Sequence, residues 1–382
     1  MFCPQFAPLI GGAERQAEQL GKALVKRGIE VRVITPRLDK VSPSEEVLDG
    51  LELRRFPLHD LARAMPGTHG IGLINAPWIA LQVMVRLWSE IGRVDIVHCH
   101  IGCLQSVVAA FAARLRGKVA ICKAAMADER SDLGEMAKAG WANRLAAYLG
   151  RRVFTRWVAT THAVADALRR AGVRTEDIVV IPNGVAQVEK ACHWRSRPVR
   201  RFLYLGRLST NIQRDIPGLI RAFDSLAAHV PDAELALVGG GDLLIATREL
   251  VAKCSHADRI QVPGTGDAQS WLAWADCFVL PSRREGLSNA LLEAMAMGLP
   301  CIANDIPPNR EVLADGEAGI LVPGGNVEAL REQMARLTVN PPLLAERLSA
   351  ASIARVAKNY TLTSVAACYD ALYTAKSREV KA

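Results

Sequence analysis

Glu285 and Glu293 stand eight residues apart in the stretch Glu285-Gly-Leu-Ser-Asn-Ala-Leu-Leu-Glu293. The apolar run Cys277–Leu280 reads as a strand that leads through Pro281-Ser-Arg-Arg284 into a turn at Gly286. Ser288 suits an N-cap, residues 289–297 read as a short helix, and Gly298 with Pro300 stops it. A helix start offers unsatisfied N–H groups and the positive end of the dipole, so the backbone of Ser288, Asn289, Ala290 and Leu291 suits a diphosphate. Glu293 lies roughly 7 Å further along the axis, at about 1.5 Å per residue. That matches the reach from a diphosphate to ribose hydroxyls, which a carboxylate can accept. Glu285 falls on the other side of the phosphates, where a transferable sugar would lie. Taken alone, two solvated charges beside an ordinary helix explain the pair equally well. The rest of the chain separates the two readings.

Other short motifs keep step with this segment: Gly11-Gly12-Ala-Glu-Arg15, Val97-His-Cys-His100, Ile181-Pro-Asn-Gly184 and Gly206-Arg-Leu208. Leu237-Val-Gly-Gly-Gly-Asp242 and Asp315-Gly-Glu-Ala-Gly-Ile-Leu-Val-Pro323 complete the series. Each is weak alone; their order and spacing are not. Together they resemble the retaining glycosyltransferases of the GT-B fold, family four, over nearly the whole chain.

The resemblance implies roles for particular residues. Arg207 and Arg214 grip the diphosphate, with Arg214 standing where a lysine is commoner; a guanidinium can bind phosphate bidentately. His100 contacts the donor sugar near the reacting carbon, Glu285 binds that sugar, and Gly264 lies in the loop that meets the base through backbone groups. His98 shares a strand face with His100 and reads as a packed or hydrogen-bonded residue. A zinc site from His98, His100 and Cys103 lacks a fourth ligand at metal spacing. No metal or other cofactor is expected; the nucleotide sugar is a co-substrate. Gly11 and Gly12 precede a helix and let backbone approach a phosphate or sugar, or else simply make a tight turn. Gly239-Gly-Gly241 falls short of a dinucleotide fingerprint, because Leu244 occupies the third glycine position.

These groups need a frame, and the apolar pattern supplies one. Strands are expected at 31–34, 51–56, 94–98, 119–122, 157–160 and 178–181, and again at 202–205, 234–238, 260–262, 277–280, 301–303 and 320–322. Helices intervene, such as 13–27 with Ala13, Ala17, Leu20 and Leu24 on one face. Alternation of this kind means parallel sheets, and two runs mean two doubly wound, Rossmann-like α/β domains. The expected limits are 1–181 for an acceptor-side domain, 182–199 for a linker and 200–363 for a nucleotide-sugar domain. The resemblance returns a final helix, about 364–382, to the first domain, and has the domains close across a cleft. Only two or three residues precede the Gly11-Gly12 loop region as a first strand, so an unusually short central strand, or a start further upstream, is expected.

Composition narrows the partners. At 382 residues with half of them apolar, the chain can bury two cores. A net charge of +8 invites nucleic acid, anionic membrane or phosphorylated ligands. Basic residues cluster at Arg151, Arg152 and Arg156 and at Arg195, Arg197, Arg200 and Arg201, but aromatics make up only 5% of the chain, few for base-stacking platforms. Nucleic acid is therefore the weaker reading and a peripheral membrane contact the better one. The nine cysteines form no Cys-x-x-Cys pair, and their odd count in a long chain without a secretory signal points to a reducing cytoplasm. No apolar run is long enough to span a bilayer; the densest, Ile71–Ile91, is broken by Asn75, Pro77, Gln82 and Arg86 but carries Trp78 and Trp88. It reads as a helix packed in its own domain, with an interfacial role as the other reading. The functional expectation is a retaining transfer of sugar from a nucleotide donor to a lipid-linked or polysaccharide acceptor, at or near the inner membrane face. A sugar-nucleotide epimerase and a non-catalytic sugar-nucleotide-binding protein are the rivals. A phosphorylase would need a pyridoxal lysine site, and none is evident.

Overall fold

A computed structural model describes the chain apart from residues 8–10, 40, 65–70, 125, 128–131, 187–197, 211–213, 340–341 and 382. Most of the linker expected at 182–199, with Arg195 and Arg197, lies outside the described residues. Two compact units form, Met1–Gly184 with Leu362–Ala382, and Val185–Thr361. The boundaries fall at residues 184 and 361 rather than 181 and 363.

The first unit contains β1 (Arg32–Arg37), β2 (Glu45–Leu48), β3 (Leu51–Pro57), β4 (Ile96–His100), β5 (Val119–Ala124), β6 (Arg156–Ala159) and β7 (Ile178–Val180). They form the ordered sets β1-β3-β2 and β4-β5-β6-β7. One residue joins the sets. Phe2 bridges Ile34 on one side and Cys99 on the other, both in parallel. Its N–H donates to the His98 carbonyl at 2.8 Å, its own carbonyl accepts from His100 at 3.0 Å, and Ile34 N–H reaches the Met1 carbonyl at 2.8 Å. The short central strand is thus a single bridging residue, with its ring fully buried.

Several expected bounds shift here, β1 among them, which runs Arg32–Arg37 rather than 31–34. Residues 94 and 95 belong to the turn after the helix Ile71–Ile91, where Val94 N–H bonds the Ile91 carbonyl, so the strand starts at Ile96 and ends at His100 rather than at 98. Residues 45–48, unassigned from sequence, pair antiparallel with β3 as an edge strand; their alternating exposure carries no apolar run. The last helix runs Leu362–Lys381, starting two residues before the expected 364. Its Val365, Ala366 and Tyr369 pack with Leu20, Leu24, Val119, Ile121 and Val158, each large side chain contributing about 1.5–3 kcal/mol by burial.

The second unit has β8 (Arg201–Leu205), β9 (Glu234–Val238), β10 (Ile260–Gly264), β11 (Cys277–Leu280), β12 (Cys301–Asn304) and β13 (Ile320–Val322). All pairs are parallel, in the order β10-β9-β8-β11-β12-β13. These strands are nearly continuous apolar runs because helices cover both faces. Strand order reverses between β8 and β11, and ligands of such sheets bind beyond the carboxyl ends of the strands at that point. The loops that follow β8 and β11 carry Arg207 and Glu285.

Candidate active site

In the second unit the loops after β8, β9 and β10 are stitched together by backbone. Gly206 N–H donates to the Val238 carbonyl at 2.9 Å, Leu208 N–H to Gly240 at 2.9 Å and Gly239 N–H to Gly264 at 2.8 Å. Gly239 sits at φ +153°, and a Cβ there would stand 1.8 Å from the Gly206 carbonyl oxygen. Only glycine allows that approach. The Gly239 turn therefore holds the Arg207 loop in place. Asp242 extends the clamp by accepting the Thr210 N–H at 3.3 Å and hydroxyl at 2.7 Å. Hydrogen bonds from the Ser209 and Thr210 hydroxyls hold its carboxyl down to about 2.

Arg214 is not the solvent-exposed charge that it would be as a plain residue before a helix. It pairs across to Ser282 in a short antiparallel bridge, and the next N–H, of Asp215, bonds the Pro281 carbonyl at 2.8 Å. Its guanidinium donates to the Tyr204 hydroxyl at 2.6 Å and to Glu285 Oε1 at 3.1 Å. Ser282 Oγ donates to the same Oε1 at 2.8 Å, and the Tyr204 hydroxyl donates onward to the Arg207 carbonyl at 3.1 Å. The Arg214 and Glu285 side chains are only 12% and 11% exposed. Burial opposes the charge on Arg214, but Glu285 and Tyr204 outweigh it and raise the pKa above the ordinary value. Arg214 Nε is buried with no acceptor among the described residues. A Cβ on Gly206 would lie 2.0 Å from Arg214 Nη1, so this glycine makes room for the arginine.

Arg207 itself is exposed. Ser288 caps the helix Asn289–Ala296, accepting the Leu291 N–H at 3.4 Å, and Met297 is the C-cap rather than the last helical residue. Asn289, Ala290 and Glu293 are half-buried, whereas Leu291 is fully buried and offers only its backbone. Gly264 ends β10 at φ +89° beside Leu244 and Arg248. Loops from four strands thus converge on the switch point through Gly206, Gly239, Gly264 and Glu285.

In the first unit, β4 presents His98 and His100 on one face with ring centroids 4.4 Å apart. His98 Nδ1 lies 2.7 Å from the Tyr373 hydroxyl, and its ring meets Tyr369 at 5.2 Å. Burial lowers both imidazole pKa values well below the usual range, with the positive charge of Lys123 adding to the effect, so both rings are neutral at pH 7. Cys103 Sγ lies 3.4 Å from Ser106 Oγ, and no group of three potential metal ligands occurs among the described residues. Gly11 caps the helix Gly12–Val25 in an extended conformation, φ −111°, that any residue adopts, so its φ alone does not require glycine. A cavity of about 700 Å³ opens near the amino ends of β1 and β4, lined by Val31, Arg32, Val94 and Asp95 among others. It lies at the wrong end of the sheet for a ligand of a doubly wound fold.

Sequence reading missed Tyr204, Ser282, Asp242 and the buried Lys123. Tyr204 and Lys123 carried a faint signal, a polar tip within otherwise apolar strands; Ser282 and Asp242 carried none beyond their place in a motif.

Two family models together match most of the chain, Glycosyltransferase Family 4 over residues 10–187 and Glycosyl transferases group 1 over 199–340. This chain belongs to the group 1 glycosyltransferases. Phosphatidyl-myo-inositol mannosyltransferase of Mycobacterium leprae is 28% identical over 96% of this chain and 93% of its own length. GDP-mannose:cellobiosyl-diphosphopolyprenol alpha-mannosyltransferase of Komagataeibacter xylinus is 25% identical over 97% and 91%. The crystal structure of Anabaena HepE in complex with UDP and glucose superposes with a TM-score of 0.75 at 16% identity, covering 98% of each chain. This glycosyltransferase therefore has the GT-B fold with two Rossmann-like domains, and it is an enzyme of glycosyl transfer.

Proposed function

We propose that this glycosyltransferase moves a sugar from a nucleotide-sugar donor to a lipid-linked or polysaccharide acceptor, with retention at the sugar carbon. The observation that carries the donor assignment is the buried Arg214–Glu285 pair at the switch point of the second unit, flanked by Gly206 and the Ser288 helix start. A departing diphosphate needs positive charge where its own negative charge grows, and fixed donors supply it without reorganisation. Arg207, the open Nε–H of Arg214 and the N–H groups after Ser288 are such donors. Glu293 takes the ribose hydroxyls and Glu285 the sugar. His100 is assigned to a substrate oxygen as a neutral hydrogen-bonding group.

Glu285 Oε1 already accepts from Arg214 and Ser282, which makes the carboxylate a poor nucleophile and a good anchor. Retention then proceeds on one face of the sugar: the acceptor oxygen attacks as the sugar–phosphate bond breaks, and a leaving-phosphate oxygen takes the acceptor proton. No metal is required by this scheme.

The acceptor assignment draws on the relatives, whose names include phosphatidyl-myo-inositol and a diphosphopolyprenol, and on the surface of the first unit. The helices Ile71–Ile91, Leu104–Leu115 and Trp141–Val153 pack on one another and expose Trp78, Trp88, Phe111, Trp141 and Tyr148. Arg116 lies 4.3 Å over Trp88, and Arg152 5.4 Å over Tyr148. Paired arginine and aromatic side chains suit an anionic lipid interface. No helix among the described residues is long and apolar enough to cross a membrane. We assign the contact to a membrane surface, on its inner face.

The test is transfer from GDP-mannose, UDP-glucose and UDP-N-acetylglucosamine to phosphatidylinositol and to a polyprenyl-diphosphate saccharide. The product anomer is read by NMR. A retained anomeric configuration is expected with at least one pair; an inverted product would refute the one-face mechanism.

A further inference from the structure

Lys123 is the one basic residue of β5, whose six residues are all buried. It is the register partner of His100 across the parallel β4–β5 ladder. Its strand-mates Val119 and Ile121 point into the cluster of Leu20, Leu24 and Tyr369, so by the period of two Lys123 shares that face, nearest the carboxyl end. The residue is 8% exposed, and burial alone, with no hydrogen-bond or charge partner among the described residues, governs its ammonium. Its neighbours are no help to a cation. His98 and His100 are themselves basic, both Nε2 atoms are buried without a partner, and His98 Nδ1 is occupied by Tyr373. The carboxylate of Asp132 accepts the Gly102 N–H at 2.6 Å. Burial pushes the Lys123 ammonium down to about 8, still charged at neutral pH.

A largely buried cation with no counter-ion among the described residues is costly to the fold that holds it. Neighbouring Cys122 and Ala124 show that the strand packs well with small apolar side chains. The cost is therefore to be sought in a ligand. The carboxyl ends of β4 and β5 are where a doubly wound sheet receives one, next to the Phe2 bridge at which strand order reverses. A lysine ammonium is a compact point charge that suits a phosphate oxygen, and two imidazole Nε2 atoms beside it can add hydrogen bonds.

We propose that Lys123 is a substrate-contacting residue which, with His100 beside it, holds a phosphate oxyanion at the carboxyl ends of β4 and β5. This rests on the transferase reading only for which phosphate it is: the donor diphosphate or a phosphate of the lipid acceptor.

The test compares the full-length wild type with Lys123→Met, which keeps the length of the side chain and removes the charge, and with Lys123→Arg. If the charge serves a ligand, Lys123→Met folds and melts at least as high as the wild type. It then loses at least tenfold in one of two measurements. A loss of GDP or UDP affinity by calorimetry, with slower donor hydrolysis in the absence of acceptor, assigns the donor diphosphate. Unchanged nucleotide affinity with a tenfold higher KM for phosphatidylinositol or polyprenyl-diphosphate acceptor assigns the acceptor phosphate. Lys123→Arg recovers part of whichever is lost. A variant that melts lower or fails to fold overturns the proposal, because Lys123 would then be structural; so does full activity of Lys123→Met. Were no donor used by the wild type, the proposed function would fail. Lys123 would still be tested by inorganic pyrophosphate, expected to bind the wild type and not Lys123→Met; equal binding, or none to either, would overturn it.

Discussion

Removing the Glu285 carboxylate separates its two roles, one in the fold and one in the reaction. In Glu285→Ala, Arg214 stays buried with only the neutral Tyr204 hydroxyl at 2.6 Å as partner. The pair it loses is 3.1 Å long with side chains 12% and 11% exposed, and breaking such a pair by deleting one member costs about 3–5 kcal/mol. Ser282 Oγ also loses its acceptor, which adds to the cost. For a unit of this size about 3 kcal/mol lowers the melting temperature by roughly 6–12 °C. A nucleoside diphosphate brings a new counter-charge to Arg214, so the ligand should restore part of that loss. Saturation at about 100 times Kd contributes about 2.7 kcal/mol to any protein that binds only when folded. The wild type gains only this. The variant should gain as much or more, because its affinity for the bare diphosphate is unchanged or tighter, while turnover drops at least a hundredfold. Calorimetric scans with and without GDP or UDP, alongside titrations and transfer rates, give all three quantities. If nucleotide affinity collapsed together with stability, Glu285 would be a structural member of the loop, and its assignment to the sugar would be wrong.

Three further outcomes are expected. Glu293→Ala weakens nucleoside diphosphate binding itself by about ten- to hundredfold, since hydrogen bonds to a charged group contribute about 1.5–3 kcal/mol; unchanged affinity in calorimetry would remove Glu293 from the ribose. His98 and His100 are buried neutral with lowered pKa values, so the unfolded chain binds more protons than the folded one once pH falls below about 6.5. Stability should therefore fall on acidification from pH 7 to 5, by up to about 1.4 kcal/mol per pH unit for each ring. His98→Phe should show a shallower fall in melting temperature, and an equal slope would deny the buried neutral state. Co-sedimentation with vesicles should require anionic lipid and weaken as salt rises, since each basic residue near such a surface contributes about 1 kcal/mol. Replacing Trp88 and Arg116 together by alanine should reduce it; retention of binding at high salt by that variant would place the contact elsewhere.

What can be read from the sequence by itself is what depends on neighbours along the chain. The apolar runs at Glu234–Val238 and Cys277–Leu280 start and end where expected, because a strand buried on both faces must be apolar throughout. The Ser288 cap is equally legible, since its bond spans three residues. Where neighbouring signals conflict, boundaries drift. Val94 has the right side chain for a strand but its N–H is already committed to closing the preceding helix. Only tertiary structure decides which distant groups share a charge or a hydrogen bond. Arg214 and Glu285 are 71 residues apart, and Tyr204 joins them through a hydroxyl at the tip of a strand residue that composition counts as apolar. Phe2 becomes a central strand because two longer strands, β1 and β4, leave unpaired N–H and C=O groups facing it; nothing within the first few residues encodes that. Lys123 reads in sequence as a lone interruption of an apolar strand. Its burial beside two unprotonated imidazoles, with no carboxylate among the described residues to pair it, exists only once β4 and β5 lie in register, because the dielectric and the counter-charge a group meets are properties of the packed fold and not of the chain around it.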